Sequence, residues 1–282
     1  MNSENLKTFI TLCKYKNFTR TAEALYVAQS TITNRIAELE REVNAQLFIR
    51  DKKSVQLTES GIKFLDYAKR IVDLEEKAIS DISSDTRFEK SLTIGSTNTI
   101  FDCHINEKVK SFLQRKNDTA VKIVISHSLP LIDMVIDGSI DIAFTFSEYH
   151  KNNIMCKTFC EDKMVLVTDC KNTKYKYGIL LSELSDIDYY YCNFPFQNIG
   201  EYIKDLLPKY HHFPIEFDRA GNIIDYLIGS NGYSILPEKL VSKHIENEAL
   251  HIVPLLDFEI PDVKSFMIYY SKNEDKLTEI IK

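Results

Sequence analysis

The stretch Leu6–Gly61, LKTFITLCKYKNFTRTAEALYVAQSTITNRIAELEREVNAQLFIRDKKSVQLTESG, decides how this chain begins to fold. Leu6, Phe9, Ile10 and Cys13 recur at i, i+3, i+4 and i+7, the period of an amphipathic helix. Asn17-Phe18-Thr19 interrupts that helix, and Thr19 suits the cap of a short second helix from Arg20 to about Leu25. Tyr26-Val27-Ala28 makes a tight turn, and a third helix starts near Gln29 with Ile32, Ile36, Leu39 and Val43 on its apolar face. Two short helices, a turn of three or four residues and a longer third helix make a helix-turn-helix. Leu47-Phe48 returns the chain to that core. Arg50 to Ser54 reads as a charged loop and Val55-Gln56-Leu57 as a short strand, which together predict a β-wing. Thr58 then caps a long helix reaching about Ser83, with acidic Glu59 in its first turn.

The polar face of the third helix points to DNA. Gln29, Ser30, Thr31, Thr33, Asn34 and Arg35 crowd its N-terminal end, while Glu38, Glu40 and Glu42 lie further along. A recognition helix touches base edges with its N-terminal residues. Arginine pairs with guanine, Asn and Gln with adenine, and a Thr methyl meets the thymine methyl. Arg50, Lys52 and Lys53 on the wing suit phosphates or the minor groove. Charge agrees. The whole chain of 282 residues carries 35 Lys+Arg against 41 Asp+Glu, net −6, the wrong sign for a polyanion partner. Residues 1–70 nevertheless hold 12 basic and 8 acidic side chains, a basic head on an acidic body.

The long helix bears a near-heptad stripe: Ile62, Leu65, Tyr67/Ala68, Ile71/Val72, Leu74 and Ala78/Ile79. The stripe predicts a dimerisation helix and linker, with packing on the chain's own body as the alternative. Phe88-Glu89-Lys90 is a candidate hinge. Beyond it strands and helices alternate: a strand at 91–95, a helix from Ile100 to about Arg115, a strand at 121–126, a helix from Ser128, and a strand at 140–146. The pattern resumes at 163–167 and runs to a last strand at 265–270 and a short helix at 275–281, which predicts a parallel α/β sheet.

Asn17-Phe18-Thr19, Ala22-Glu23-Ala24-Leu25, Gln29-Ser30-Thr31-Ile32-Thr33, Ile36, Leu39-Glu40, Leu47-Phe48-x-Arg50 and Leu57-Thr58-x-x-Gly61 together resemble the winged helix-turn-helix of LysR-type transcriptional regulators. Leu131-x-x-x-Val135-x-x-Gly138-x-Ile140-Asp141-Ile142-Ala143 and Ile228-Gly229-Ser230-Asn231-Gly232-Tyr233-Ser234-Ile235-Leu236-Pro237 resemble motifs of the same family's effector domain. The resemblance spans nearly the whole chain and is weakest over about 150–215 and 245–264. It implies a multidomain α/β architecture: a winged helix-turn-helix over 1–58, a linker helix over 59–88, and a two-lobed effector domain over 89–282, built like a periplasmic binding protein. Lobe one would hold 91–160 plus 266–282 and lobe two 161–265.

The resemblance further implies that Gln29, Ser30, Thr31, Thr33 and Asn34 touch bases or the groove, and that Thr19, Arg50, Lys52 and Lys53 touch the backbone. The family often carries a basic residue where Asn34 stands. The implied partners are double-stranded promoter DNA at half-sites, a small effector, and further copies of the chain as a homodimer or homotetramer. An effector would lie in the crevice at strand C-termini, where helix N-termini favour a carboxylate or other anion. By position that crevice is lined by Ser96, Thr97, Asn98, Thr99, His127, Ser128, Asn193, Phe194, Phe196, Gly221 and Asn222, with Arg219 or His127 as counter-charge. Ser96, Thr99 and Ser128 serve equally well as helix caps.

Other classes fit poorly. The chain has no G-x-S-x-G elbow, phosphate loop, G-x-G-x-x-G or H-E-x-x-H, so no enzyme and no cofactor are expected. Cys156 and Cys160 lack a second ligand pair, so no metal site is expected. No apolar run reaches about 18 residues, and the first residues do not read as a secretory signal, which predicts no membrane contact and a cytoplasmic protein. A solute-binding protein would account for 91–282 alone. A thiol-based redox regulator is the alternative within the family. It needs an exposed low-pKa thiolate, whereas Cys192 sits within a predicted strand.

Overall fold

A computed structural model of the chain describes residues 1–51, 54–82, 88, 90–116, 118–192, 199–209 and 211–281. It divides into two compact units, Met1–Thr86 and Arg87–Lys282.

The first unit is built from α1 (Ser3–Tyr15), α2 (Phe18–Ala24), α3 (Gln29–Glu42), the antiparallel pair β1 (Phe48–Asp51) and β2 (Ser54–Leu57), and α4 (Glu59–Ile82). Its core is Leu6, Phe9, Leu12, Ala22, Ile32, Ile36, Leu39, Leu47, Phe48, Ala68 and Val72. Phe9 sits at the centre, with its ring centroid 5.3 Å from those of Phe48 and Phe64. The caps refine the sequence reading. Asn17, not Thr19, caps α2 by accepting from the Arg20 N–H at 3.0 Å. Thr58 caps α4 by accepting from the Gly61 N–H at 2.9 Å. The stripe on α4 divides in two. Ala68 and Val72 pack into the core, and Lys7 pairs with Glu76 at 3.5 Å. Tyr67, Ile71, Leu74 and Ile82 stay exposed. One face of α4 thus packs on its own unit while another is bare. Ser83 and Glu89, at the expected helix end and hinge, lie outside the described residues.

The second unit begins with β3 (Lys90–Ser96). Then come α5 (Asn98–Ile100), which runs through a π-turn at Phe101–Ile105 into α6 (Asn106–Arg115), and β4 (Thr119–Ile125), α7 (Ser128–Ile136) and β5 (Ile142–Thr145). Two strands follow, β6 (Ile154–Asp162) and β7 (Met164–Asp169), then β8 (Tyr191–Cys192), α8 (Ile199–Asp205), β9 (Glu216–Phe217), α9 (Ala220–Leu227), β10 (Tyr233–Pro237), α10 (Glu238–Glu246), β11 (Leu250–Val253), β12 (Val263–Tyr270) and α11 (Glu274–Ile281). One sheet has the order β4-β3-β5-β12-β6 and another β10-β7-β11. The expectation of a parallel sheet holds only in part. β3 runs parallel to β4 and β5, but β12 is antiparallel to both β5 and β6, and β7 is antiparallel to both its neighbours. The reason is connectivity. β6 and β12 pair along their length as antiparallel neighbours, so neither needs a crossover helix.

Motif residues in this unit hold the fold together. Asp141 accepts from the Thr93 N–H at 2.8 Å, its own N–H donates to the Thr93 carbonyl at 2.9 Å, and Lys276 pairs with it at 3.0 Å. Gly229 takes the turn before β10 with φ 81°, where a side chain would be strained.

Candidate nucleic-acid interface and effector crevice

The head presents a polar surface at the entry of α3. Gln29, Ser30 and Asn34 are exposed, Thr31 and Thr33 half-exposed, and Ile32, Ile36 and Leu39 point the opposite way into the core. Ala28 occupies the cap position of α3 and offers no side-chain acceptor, so no side chain caps the helix, and the Thr31 N–H donates to the Ala28 carbonyl at 2.9 Å. Thr19 is exposed, and its Oγ1 lies 3.4 Å from Gln29 Oε1, which brings the starts of α2 and α3 together. The backbone of Arg50 lies in β1, opposite Val55. Lys52 and Lys53 lie outside the described residues.

Arg35 departs from the expectation. Its guanidinium turns back onto α1, pairing with Glu4 at 2.9 Å and donating to Thr8 Oγ1 at 3.2 Å. The reason is angular: Arg35 is three residues from Ile32 and one from Ile36, so it flanks the buried stripe. Its charge is spent within the head.

In the second unit the residues expected to line a crevice follow the ends of β3 and β4 and stand at the starts of α5, α7 and α9. Ser96 is fully buried and donates through Oγ to the Thr97 carbonyl at 3.0 Å. Thr97 stands at the cap position of α5 without capping it, and its buried Oγ1 has no hydrogen-bond partner in the described structure. Asn98 is exposed and Thr99 half-exposed. His127, not Ser128, takes the cap position of α7 and is exposed. Ser128 Oγ instead accepts from the Phe146 N–H at 3.1 Å, tying α7 to the end of β5. Gly221 and Asn222 lie in the first turn of α9, with Asn222 exposed. Asn193, Phe194 and Phe196 lie outside the described residues.

Arg219 does not stand free as a counter-charge. It precedes α9 and pairs at 3.3 Å with Asp102, on the π-turn that follows α5. A Cβ at Gly221 would sit 3.5 Å from the same carboxylate oxygen, so the start of α9 faces Asp102 closely. A second pair, Lys243 with Glu107 at 3.4 Å, joins α10 to α6. Asp102 escaped the sequence reading because nothing local marks a carboxylate whose partner lies 117 residues away. The only available sign would have been its place one helical turn after Asn98.

The cysteines are all free thiols. Burial, with Asp218 adding, pushes the Cys192 thiol up to about 12, and burial pushes Cys13 up to about 11 despite Lys69. Burial raises Cys103 and Cys160 as well, with Asp162 adding at both. Each shift disfavours the thiolate that redox chemistry requires. Among the described residues no cluster of His, Cys, Asp or Glu could hold a metal ion, and no helix is long and apolar enough to cross a membrane.

Two family models match: the bacterial regulatory helix-turn-helix protein, lysR family, over residues 3–62, and the LysR substrate binding domain over residues 86–278. The chain is 24% identical to the HTH-type transcriptional regulator CitR of Bacillus subtilis, covering 100% of this chain and 98% of that one. It is 26% identical to the regulator YofA of the same organism, covering 90% and 88%. Its fold is similar to that of CbnR, a LysR family transcriptional regulator, with a TM-score of 0.74 at 17% identity over 100% of this chain and 98% of that chain. CbnR complexed with its target DNA gives a TM-score of 0.70 at 16% identity, covering 100% and 97%.

Proposed function

Since the chain belongs to the LysR family of bacterial transcriptional regulators, and is therefore no enzyme, we propose that it reads promoter DNA through the outer face of α3 and answers to an anion held between its C-terminal lobes. One observation carries the DNA reading: Gln29, Ser30, Thr33 and Asn34 occupy the accessible face at the uncapped start of α3 while its apolar face is fully buried. Thr19 and Thr31 complete that surface, and Arg50, Lys52 and Lys53 belong to the wing beside it. The solved complex of CbnR with its target DNA supports the same use of the fold. A DNA partner places the protein in the cytoplasm. The bare stripe of Tyr67, Ile71, Leu74 and Ile82 on α4 supports a homodimer, two heads then meeting half-sites about one helical turn or a multiple apart. The chain partition follows: a head over 1–58, a linker helix over 59–88 and effector lobes over 89–282, with lobe pairing making a tetramer.

Asn34→Ala is expected to weaken binding to a selected duplex by about 1–3 kcal/mol and to relax base preference at one position. Arg35→Ala is expected instead to lower thermal stability with base preference intact, because its guanidinium is held by Glu4 and Thr8. Binding isotherms and melting curves for both variants separate the roles. Unchanged discrimination in Asn34→Ala, or altered discrimination in Arg35→Ala, would reverse the assignment.

The effector reading rests on the polar crevice: the unpartnered Thr97 Oγ1, the starts of α5, α7 and α9, and Arg219. An anion that engages Arg219 must displace Asp102. Both side chains are partly exposed, at 46% and 24%, so their pair is worth at most about 1 kcal/mol. Asp102→Asn is therefore expected to tighten binding of small carboxylates up to about fivefold, and Arg219→Ala to weaken it. A thermal-shift titration with a panel of mono- and dicarboxylates checks this. Equal affinity in all three proteins would remove Arg219 from the site.

A further inference from the structure

The turn that leads into α3 holds the most exposed large hydrophobic side chain among the described residues of the head. Tyr26 stands just past the end of α2. Its N–H donates to the Glu23 carbonyl at 3.2 Å, and the Val27 N–H donates to the Ala22 carbonyl at 3.0 Å. These paired bonds form a Schellman motif, which needs a left-handed residue at the position Tyr26 occupies. Its φ is 55°. Glycine or asparagine suits that conformation, whereas an aromatic side chain there is strained. The same motif closes on Asn44, with φ 51°, at the end of α3, through Asn44 N–H to Arg41 at 3.2 Å and Ala45 N–H to Glu40 at 3.1 Å, and on Glu248, with φ 55°, at the end of α10.

Packing does not offset the strain at Tyr26, because the side chain is 95% exposed. Whatever the ring contributes therefore lies outside the head. Its position says where. Tyr26 is three residues before Gln29, so its backbone is at most about 10 Å from the end of α3 that enters the groove. A phenol at that distance combines a flat apolar body with a neutral hydroxyl donor. Next to a groove-reading helix, the surface that accepts such a donor is the sugar-phosphate strand bordering the groove.

We propose that Tyr26 is a DNA-backbone contact, its hydroxyl donating to a phosphate oxygen beside the bases that α3 reads and its ring lying against the adjoining sugar. The proposal rests on the DNA reading above and extends it to a residue outside the set assigned there. It carries a signature that separates it from the basic wing. A neutral donor releases no counterion, so its loss lowers affinity at every salt concentration by the same factor. A backbone contact also carries no base information, so its loss weakens selected and unrelated duplexes alike.

The test uses the full chain, a duplex enriched by that chain from a randomised pool, and an unrelated duplex of equal length. Tyr26→Phe is expected to bind both duplexes about fivefold more weakly, and Tyr26→Asn about tenfold more weakly. Both variants should show the unaltered salt slope. Tyr26→Asn should also melt at a higher temperature than the parent, because asparagine relieves the left-handed strain. Parental affinity in Tyr26→Asn overturns the proposal. So does a loss confined to the enriched duplex, which would make Tyr26 a base reader, or a changed salt slope. Should Asn34→Ala lose affinity while both Tyr26 variants do not, only this proposal falls. Should the parent enrich no duplex at all, the DNA reading falls and takes this one with it.

Discussion

Replacing Gly61 by Ala lowers the stability of the N-terminal unit by about 3 kcal/mol, the upper end of what overpacking a core costs. Gly61 lies in the first turn of α4, where the helix passes directly over Leu47. An added Cβ would stand well inside van der Waals contact of the Leu47 carbonyl oxygen and 2.8 Å from Leu57 Cδ2. The first neighbour is backbone, and it is not free to move. The Leu47 carbonyl accepts from the Thr58 N–H at 3.0 Å, and the Leu47 side chain is 1% exposed. Relief requires moving either α4 or the start of the wing, and both carry core residues. In a unit of this size such a loss lowers the melting temperature by roughly 10–20 °C. Calorimetry of the full chain would show the shift in the transition of the N-terminal unit, with that of the second unit unmoved. A melting temperature within a degree or two of the parent's would mean that Leu47 can shift freely, contrary to its bonding.

Glu40→Ala acts on the same joint from the other side. One carboxylate oxygen of Glu40 accepts from the Leu47 N–H at 2.8 Å and the Phe48 N–H at 3.2 Å. Both residues are buried, so removing the carboxylate takes the acceptor from two amides at a largely covered site. A hydrogen bond to a charged group contributes about 1.5–3 kcal/mol. Glu40 is only half-buried, which favours the lower figure, so the pair amounts to about 3 kcal/mol. Glu40→Gln is the informative control. Its amide oxygen can take both bonds and loses only the charge assistance, for about 1 kcal/mol. Denaturant titration of the three proteins should therefore rank them parent, Gln, Ala. Equal losses for Gln and Ala would show that the charge, and not the shared acceptor, holds the wing in place.

These two positions show how far a sequence reaches. Leu39-Glu40, Leu47-Phe48 and Leu57-Thr58-x-x-Gly61 were legible as a motif and identified the family. The motif did not reveal that Glu40, Thr58 and Gly61 all meet the backbone of Leu47. Leu47 gives its N–H to Glu40 and its carbonyl to Thr58, and Gly61 leaves room above it. That convergence exists only once the helices pack.

The sequence by itself determined the helices of the head, the wing, the order of elements through most of the effector lobes, and the face of α3 that stays polar. All of these depend on neighbours three or four residues apart, or on two-residue alternation, and such spacings are written in the chain. It did not determine β6 and β11. β6 is an edge strand with no clean alternation of burial, and its partner β12 begins about a hundred residues later. Nor did it determine which polar side chains are free. Arg35 and Asn34 are adjacent and equally polar, yet Arg35 is claimed by Glu4 and Thr8 while Asn34 is exposed. Arg219 looks like an open counter-charge until the fold brings Asp102 to it. A charge is spent or available according to what packing places within about 4 Å, and packing joins residues that the sequence keeps far apart. Only the tertiary structure decides that.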